Sequence, residues 1–119
     1  MPMDITYVEA PAIPATELAA LFRASGINRP VNDLARLEKM LAHANLVIGA
    51  YLDGRLVGIA RALTDFSYCC YLSDLAVVKE LQHAGIGREL LQRVKQRIGD
   101  QSMLLLLSAP TAMGYYPKV

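Results

Sequence analysis

Residues 74–88 read DLAVVKELQHAGIGR, and their pattern is the strongest indication of the fold in the sequence. Its first part, Asp74–Val78, is apolar and β-branched, as expected for the end of a buried strand. Its last part, Gln82–Arg88, is a polar loop with two glycines that opens a helix. Glycines let the main chain approach a ligand without a Cβ in the way, and a helix start presents unpaired N–H groups. The stretch therefore predicts a strand, an anion-binding loop and a helix in succession.

The two glycines of this loop, Gly85 and Gly87, lie where the loop must become a helix, and His83 and Arg88 add side-chain donors. The loop is not a Walker loop, because no Gly-Lys-Ser/Thr follows, and it lacks the third glycine of the dinucleotide fingerprint. On these residues alone several phosphate ligands stay open. A tight turn in which the glycines only start a helix also stays open.

Helical and extended patterns precede this stretch. Weak alternation over Ile5–Val8 predicts a short strand, and Thr16–Ser25 carries apolar residues at helical spacing with Gly26 as the stop. A second helix is predicted to start at the cap Asn32. Its apolar stripe consists of Leu34, Leu37, Met40 and Leu41.

Strand patterns dominate the middle of the chain. Leu46–Leu52 and Arg55–Leu63 flank Asp53-Gly54, a strong signal for a two-residue hairpin. The remaining predicted elements are a strand Phe66–Val78, a helix Arg88–Ile98, a buried strand Met103–Ser108 and a short helix Thr111–Tyr116. This order predicts an α/β (α+β) chain with one domain over residues 1–119. A mixed, mostly antiparallel central sheet is flanked by helices, and its last two strands are parallel.

The composition indicates a single folded domain. The chain has 119 residues, 54% of them hydrophobic and 19% charged, so a substantial core is expected. A formal net charge of +1 argues against a nucleic-acid partner. No signal peptide pattern marks the N-terminus, and the longest apolar run, Met103–Leu107, is too short to span a bilayer. We expect a cytoplasmic protein with no membrane partner.

The chain offers little for metal or disulfide chemistry. Cys69 and Cys70 are adjacent, so on a strand they point to opposite faces and a disulfide between them would be strained. No CxxC pair occurs, and the histidines are His43 and His83. We therefore expect reduced thiols that pack on a strand, and no metal site.

The loop Gln82–Gly87 resembles the Q/R-x-x-G-x-G/A motif of the GNAT superfamily of N-acetyltransferases, and the preceding Leu-Ala-Val strand end and the element order resemble it too. The resemblance implies an acyl-CoA N-acyltransferase-like fold. It also implies transfer of an acyl group, most simply acetyl, from acyl-CoA to a primary amine by direct attack in a ternary complex. The acceptor would be a small molecule or a protein amine.

The same resemblance assigns the acyl-CoA contacts. The pantetheine arm would lie between the strands Phe66–Val78 and Met103–Ser108, along the backbone of Leu75, Ala76 and Val77. One of these amides would also polarise the thioester carbonyl. The pyrophosphate would be held by the loop residues Gln82, His83, Ala84, Gly85, Ile86, Gly87 and Arg88.

The last residues, Ala112–Val119, resemble the family segment A-x-x-F-Y-x-K-x-G-F. Tyr116 falls on the family tyrosine that protonates the leaving thiolate. A phenol of pKa about 10 can do so for a thiolate of pKa about 8.5 when water is scarce. The alternative is that Tyr116 packs the last helix.

Two departures from the family pattern limit the resemblance. Ala109 stands where the family often has a cofactor-binding asparagine. The sequence ends at Val119, where the family continues with two further strands, so the predicted fold lacks the last two strands. Either the sequence is truncated, or another chain supplies these strands, or the sheet edge is left bare. A bare sheet edge would favour a homodimer. The second hypothesis for function is a catalytically weak CoA-binding sensor or partner module.

The acceptor side is predicted from three residues. Tyr71 and Ser73 match strand positions where some relatives carry an acidic base, and they could hold a water in its place. Asp74 is expected to point to the opposite face because strand residues alternate. Arg29, in the loop Ile27–Asn32, is a candidate ligand for a substrate carboxylate or phosphate, with a solvated loop arginine as the alternative.

Overall fold

A computed structural model describes residues 4–106, which contain three α-helices and five strands in the predicted order. The strands are β1 (Thr6–Glu9), β2 (Leu46–Leu52), β3 (Arg55–Thr64), β4 (Cys69–Val77) and β5 (Met103–Leu106). The helices are α1 (Ala15–Ser25), α2 (Leu34–His43) and α3 (Ile86–Ile98), and a 3₁₀ turn (Lys79–Leu81) follows β4. The predicted helix Thr111–Tyr116 lies outside the described residues.

The five strands form one sheet in the order β1-β2-β3-β4-β5. The pairs β1–β2, β2–β3 and β3–β4 are antiparallel, and β5 is parallel to β4 through the crossover helix α3. The predicted mixed, mostly antiparallel sheet is thereby confirmed. The β2–β3 hairpin turns at Asp53 and Gly54, whose φ angles of 51° and 79° are those of the type I′ turn that matches strand twist.

The β3–β4 connection corrects one predicted boundary. The strand predicted over Phe66–Val78 begins only at Cys69. The reason is Asp65, whose Oδ1 accepts hydrogen bonds from the backbone N–H groups of Ser67, Tyr68 and Cys69 at 2.9, 2.8 and 3.0 Å. This side-chain turn replaces the ladder that the strand would need. The three N–H donors lower the pKa of the Asp65 carboxyl to about 2.

The cap of α2 corrects a second prediction. Asp33, not Asn32, is the cap residue, and its carboxylate accepts from the Arg36 N–H at 3.1 Å. The side-chain oxygen of Asn32 instead accepts from Arg23 of α1 at 3.1 Å. Leu34, predicted to begin the apolar stripe, is 41% exposed, while Leu37 is fully buried.

The helices cover both faces of the sheet. Gly58 of β3 faces α3 closely: a Cβ at this position would come within 3.1 Å of Ile86 and 3.2 Å of Leu90. Arg61, three residues on and therefore on the opposite face, donates to the Met40 carbonyl of α2. The largest fully buried side chains include Phe22, Leu18, Leu21, Leu37, Leu46, Ile59, Leu72, Ile86 and Leu90. This packing places the start of α3 next to the end of β4.

Candidate functional site

The loop between β4 and α3 has the geometry of an anion cradle. Gly85 takes a left-handed conformation, with φ 85° and ψ 6°, and caps α3. The helix begins at Ile86, two residues before the predicted Arg88, because Ile86 and Gly87 are buried and the Glu89 N–H closes the first turn on the Gly85 carbonyl at 3.0 Å. The 13-residue helix therefore directs its positive end toward the loop.

Several backbone N–H groups of this loop have no acceptor within residues 4–106. They belong to His83, Gly85, Ile86, Gly87 and Arg88. By contrast, the N–H of Ala84 donates to the Leu81 carbonyl at 3.1 Å. Four consecutive N–H groups are thus available at a helix start without a capping side chain. Such an arrangement suits a phosphate or diphosphate group.

The described part of the chain leaves open space above Gly85. A Cβ built on Gly85 would meet no atom of residues 4–106 within 4 Å, so the need for glycine here comes from the positive φ. His83 and Arg88 are exposed beside it. An anion can therefore approach the loop amides directly, with two side-chain donors in the neighbourhood.

Gln82, one of the residues predicted to hold the pyrophosphate, donates its hydrogen bonds within the protein. Its side-chain nitrogen donates to the carbonyls of Ser25 and Val77 at 3.1 and 2.9 Å, and its backbone N–H donates to Lys79 at 3.3 Å. The side chain therefore fastens the loop to the end of α1 and to the end of β4. Gln82 shapes the cradle, and its own N–H groups point into the protein.

The end of β4 is buried and regular on its β3 side. Leu75, Ala76 and Val77 are 4–7% exposed and pair with residues 58–60 of β3. The parallel pairing with β5 is described from Cys69↔Met103 to Leu72↔Leu106. The slot predicted for a pantetheine arm would lie beyond this register, and residues 107–108 of the predicted strand lie outside the described residues. Tyr116 lies outside them as well.

A β-bulge in the middle of β4 overturns the expected orientation of Asp74. Arg61 pairs with Asp74 and Ala62 pairs with Leu72, so Ser73 is an extra residue in the strand. Because Leu63 pairs with Tyr71, the side chains of Tyr71 and Asp74 lie on one face of the sheet. The prediction that alternation turns Asp74 away from Tyr71 is wrong, since the bulge interrupts the alternation.

The carboxylate of Asp74 is fully buried between two arginines. Its Oδ1 accepts from Arg29 Nε at 2.6 Å, and its Oδ2 accepts from Arg61 Nε in a short ion pair. Arg29 also donates to the Ser73 carbonyl at 2.8 Å, and Arg61 donates to the Ser73 hydroxyl at 2.9 Å. We call Arg29, Arg61, Ser73 and Asp74 the bulge cluster.

The bulge cluster contains two of the three residues predicted for the acceptor side, Arg29 and Ser73, and Tyr71 lies on the same face of the sheet as Asp74. All three guanidinium nitrogens of Arg29 donate within the protein, the third to the Asn28 carbonyl at 2.6 Å. The Ser73 hydroxyl is engaged by Arg61, while Tyr71 is half-buried on the same face. Arg61 is not among the residues predicted for the site. The available signal was a charged residue inside the apolar run of β3, because buried charges are paired.

Within residues 4–106 no three side chains of metal-binding type come together. No helix in that range is long and apolar enough to cross a bilayer. Cys70 is buried and Cys69 is exposed, and burial raises the pKa of the Cys70 thiol.

Comparison with known proteins gives a family and one curated relative. The profile of the Acetyltransferase (GNAT) domain family matches residues 19–119. The uncharacterized N-acetyltransferase ycf52 of Porphyra purpurea is 27% identical over 99 residues, which cover 78% of this chain and 55% of the relative. The chain therefore spans about half the length of that curated relative.

Solved structures share the fold over nearly the whole chain. A probable acetyltransferase of unknown function from methicillin-resistant Staphylococcus aureus has a TM-score of 0.83 at 21% identity, over 97% of this chain and 87% of that one. The PaiA N-acetyltransferase of Thermoplasma acidophilum, solved with coenzyme A, has a TM-score of 0.72 at 18% identity, over 98% and 88%. At these identities the likeness establishes the fold, and the family profile covers most of the sequence. The chain belongs to the GNAT acetyltransferase domain family.

Proposed function

We propose that this protein transfers an acyl group, most simply acetyl, from acyl-CoA to a primary amine. The observation that carries the proposal is the row of N–H groups from Gly85 to Arg88 with no acceptor in the described part of the chain. The pyrophosphate of CoA supplies two negative charges for such a row. The coenzyme A bound to the Thermoplasma relative and the family membership support this choice over other phosphate ligands.

The proposed reaction is a direct acyl transfer. The amine nitrogen attacks the thioester carbon, the C–S bond breaks, and the CoA thiolate takes a proton from the Tyr116 hydroxyl. A backbone N–H among Leu75, Ala76 and Val77 stabilises the oxyanion of the tetrahedral intermediate. Holding both reactants together supplies much of the acceleration, which is the role of the loop and of β4.

The acceptor amine must lose a proton before it attacks. Asp74 is the carboxylate nearest in sequence to the proposed oxyanion site, but it is 0% exposed and enclosed by two arginines. We therefore assign deprotonation to a water held near Tyr71 and Ser73, and not to Asp74. The same enclosure of Asp74 favours the second candidate function, a CoA-binding module with little or no turnover.

The cradle is tested by one substitution at each end of α3. Gly85→Ala strains the loop, because φ at this position is 85°. We therefore expect the N–H groups at the start of α3 to change direction, and the affinity for acetyl-CoA measured by calorimetry to fall about tenfold. Gly99→Ala is the control, because Gly99 also has φ 85° and a Cβ built on it meets no described atom within 4 Å, but Gly99 lies at the other end of the helix. Equal affinities for the two variants would contradict the cradle.

Catalysis is tested by release of free thiol from acetyl-CoA with a panel of primary amines. Turnover with at least one amine is expected, and Tyr116→Phe should lower kcat about a hundredfold while the affinity for acetyl-CoA stays nearly unchanged. Unchanged kcat would remove the acid role of Tyr116. Tight binding of acetyl-CoA without turnover on any amine would favour the binding module.

A further inference from the structure

The bulge cluster joins four elements of the fold through one carboxylate. Asp74 lies on β4, and its partner Arg61 lies on β3 and also donates to the Met40 carbonyl of α2 at 3.3 Å. Its other partner, Arg29, belongs to the α1–α2 loop, which we define as residues 26–33. A loop on one face of the sheet is therefore tied to the middle of β4 by a buried ion pair.

The two arginines also hold the extra residue of the bulge. Arg29 binds the carbonyl of Ser73, and Arg61 binds its hydroxyl. A bulge bends the strand that carries it, so the hydrogen bonds to Ser73 determine the direction of the residues that follow. Those residues, Leu75–Val77, carry the backbone groups proposed above for the thioester.

The charges in the bulge cluster are unequal. Within residues 4–106 no carboxylate other than Asp74 lies within 4.0 Å of either guanidinium, so two positive groups share one negative group. Arg61 and Asp74 are buried, whereas the Arg29 side chain is 26% exposed. Arg29 is therefore the member that can leave with least cost in solvation, and its departure would free the α1–α2 loop and the Ser73 carbonyl together.

We infer that Arg29 is a positioning residue that locks the α1–α2 loop to the β4 bulge and thereby sets the geometry of the acyl-transfer backbone. The kinetic part of this inference rests on the proposed function. The structural part does not, because its contacts join residues of the protein alone. Arg29 acts through Asp74 and Ser73 and needs no contact with the reacting atoms.

Arg29→Met tests the lock by amide hydrogen exchange and by kinetics. Exchange should accelerate about tenfold both in residues 26–33 and in residues 73–77, because both segments lose a partner. With the best amine acceptor, kcat should fall about tenfold. KM for acetyl-CoA should change less than about threefold, because the loop between β4 and α3 keeps its proposed contacts with the pyrophosphate.

Arg23→Met is the matched control. Arg23 holds the same loop by donating to the Val31 carbonyl and to Asn32 at 3.2 and 3.1 Å, and these contacts do not reach β4. It should accelerate exchange in residues 26–33 alone and leave kcat unchanged. Unaltered exchange of residues 73–77 in Arg29→Met, or equal acceleration there in Arg23→Met, would overturn the lock. If the wild-type protein acetylates no amine, the proposed function fails, and the exchange comparison still decides the lock.

Discussion

Replacing Asp74 by asparagine removes one negative charge from between two guanidinium groups and changes almost nothing in size. Asp74 is 0% exposed and its partner Arg61 is 7% exposed, so water cannot take the place of the lost charge. Removing one partner of a buried ion pair costs about 3–5 kcal/mol. Against a total of about 5–15 kcal/mol for a domain, this is a large fraction. For a chain of this length it corresponds to a fall of about 10–20 °C in melting temperature.

Urea denaturation of wild type and Asp74→Asn measures this cost, with Glu80→Gln as control. Glu80 pairs with Arg55 at 3.3 Å, but both side chains are 59% exposed, so its loss should cost less than about 1 kcal/mol. In an Arg61→Met background, Asp74→Asn should cost at least about 1 kcal/mol less, because the two charges are coupled. If Asp74→Asn lowers the free energy of unfolding as little as Glu80→Gln does, the buried ion pairs of Asp74 do not stabilise the fold as stated.

Two further predictions concern the turn before β4 and the contact between sheet and helix. Asp65→Ala should lower the melting temperature near neutral pH. Because the folded pKa of the Asp65 carboxyl, about 2, lies below the usual 3.8, the difference in melting temperature from wild type should shrink as the pH falls from about 4 to 2. A difference that stays constant over this pH range would contradict the prediction. Gly58→Val should cost about 1–3 kcal/mol in urea denaturation, because its Cβ would come within 3.1 Å of Ile86; wild-type stability would show that α3 can move away.

The element order was predictable because each strong local signal agreed with the final packing. Asp53-Gly54 gave the hairpin, Gly26 ended α1 with φ 83°, and the glycine loop gave the start of the crossover helix. Boundaries were missed where one side chain competed with the backbone ladder. Asp65 delayed the start of β4, and Asp33 took the cap that the spacing assigned to Asn32.

The candidate site was predictable only where main-chain atoms form it. The loop amides follow from two glycines in a local pattern, and they lie between the end of β4 and the first turn of α3. The bulge cluster joins residues far apart in sequence, Arg29, Arg61 and Asp74, and depends on one extra residue in β4. Neither the pairing nor the bulge leaves a periodic signal, so strand alternation gave the wrong face for Asp74.

Amide NMR shifts test whether the N–H groups of His83 and of residues 85–88 bind the diphosphate of CoA. Titration of the ¹⁵N-labelled protein with CoA should move the N–H resonances of His83 and Gly85–Arg88, and should move Ala84 least because its N–H is already bonded to Leu81. Pantetheine, which lacks the diphosphate, should leave all of them in place. Resonances that stay fixed with CoA, or that move equally with pantetheine, would show that these amides do not bind the diphosphate.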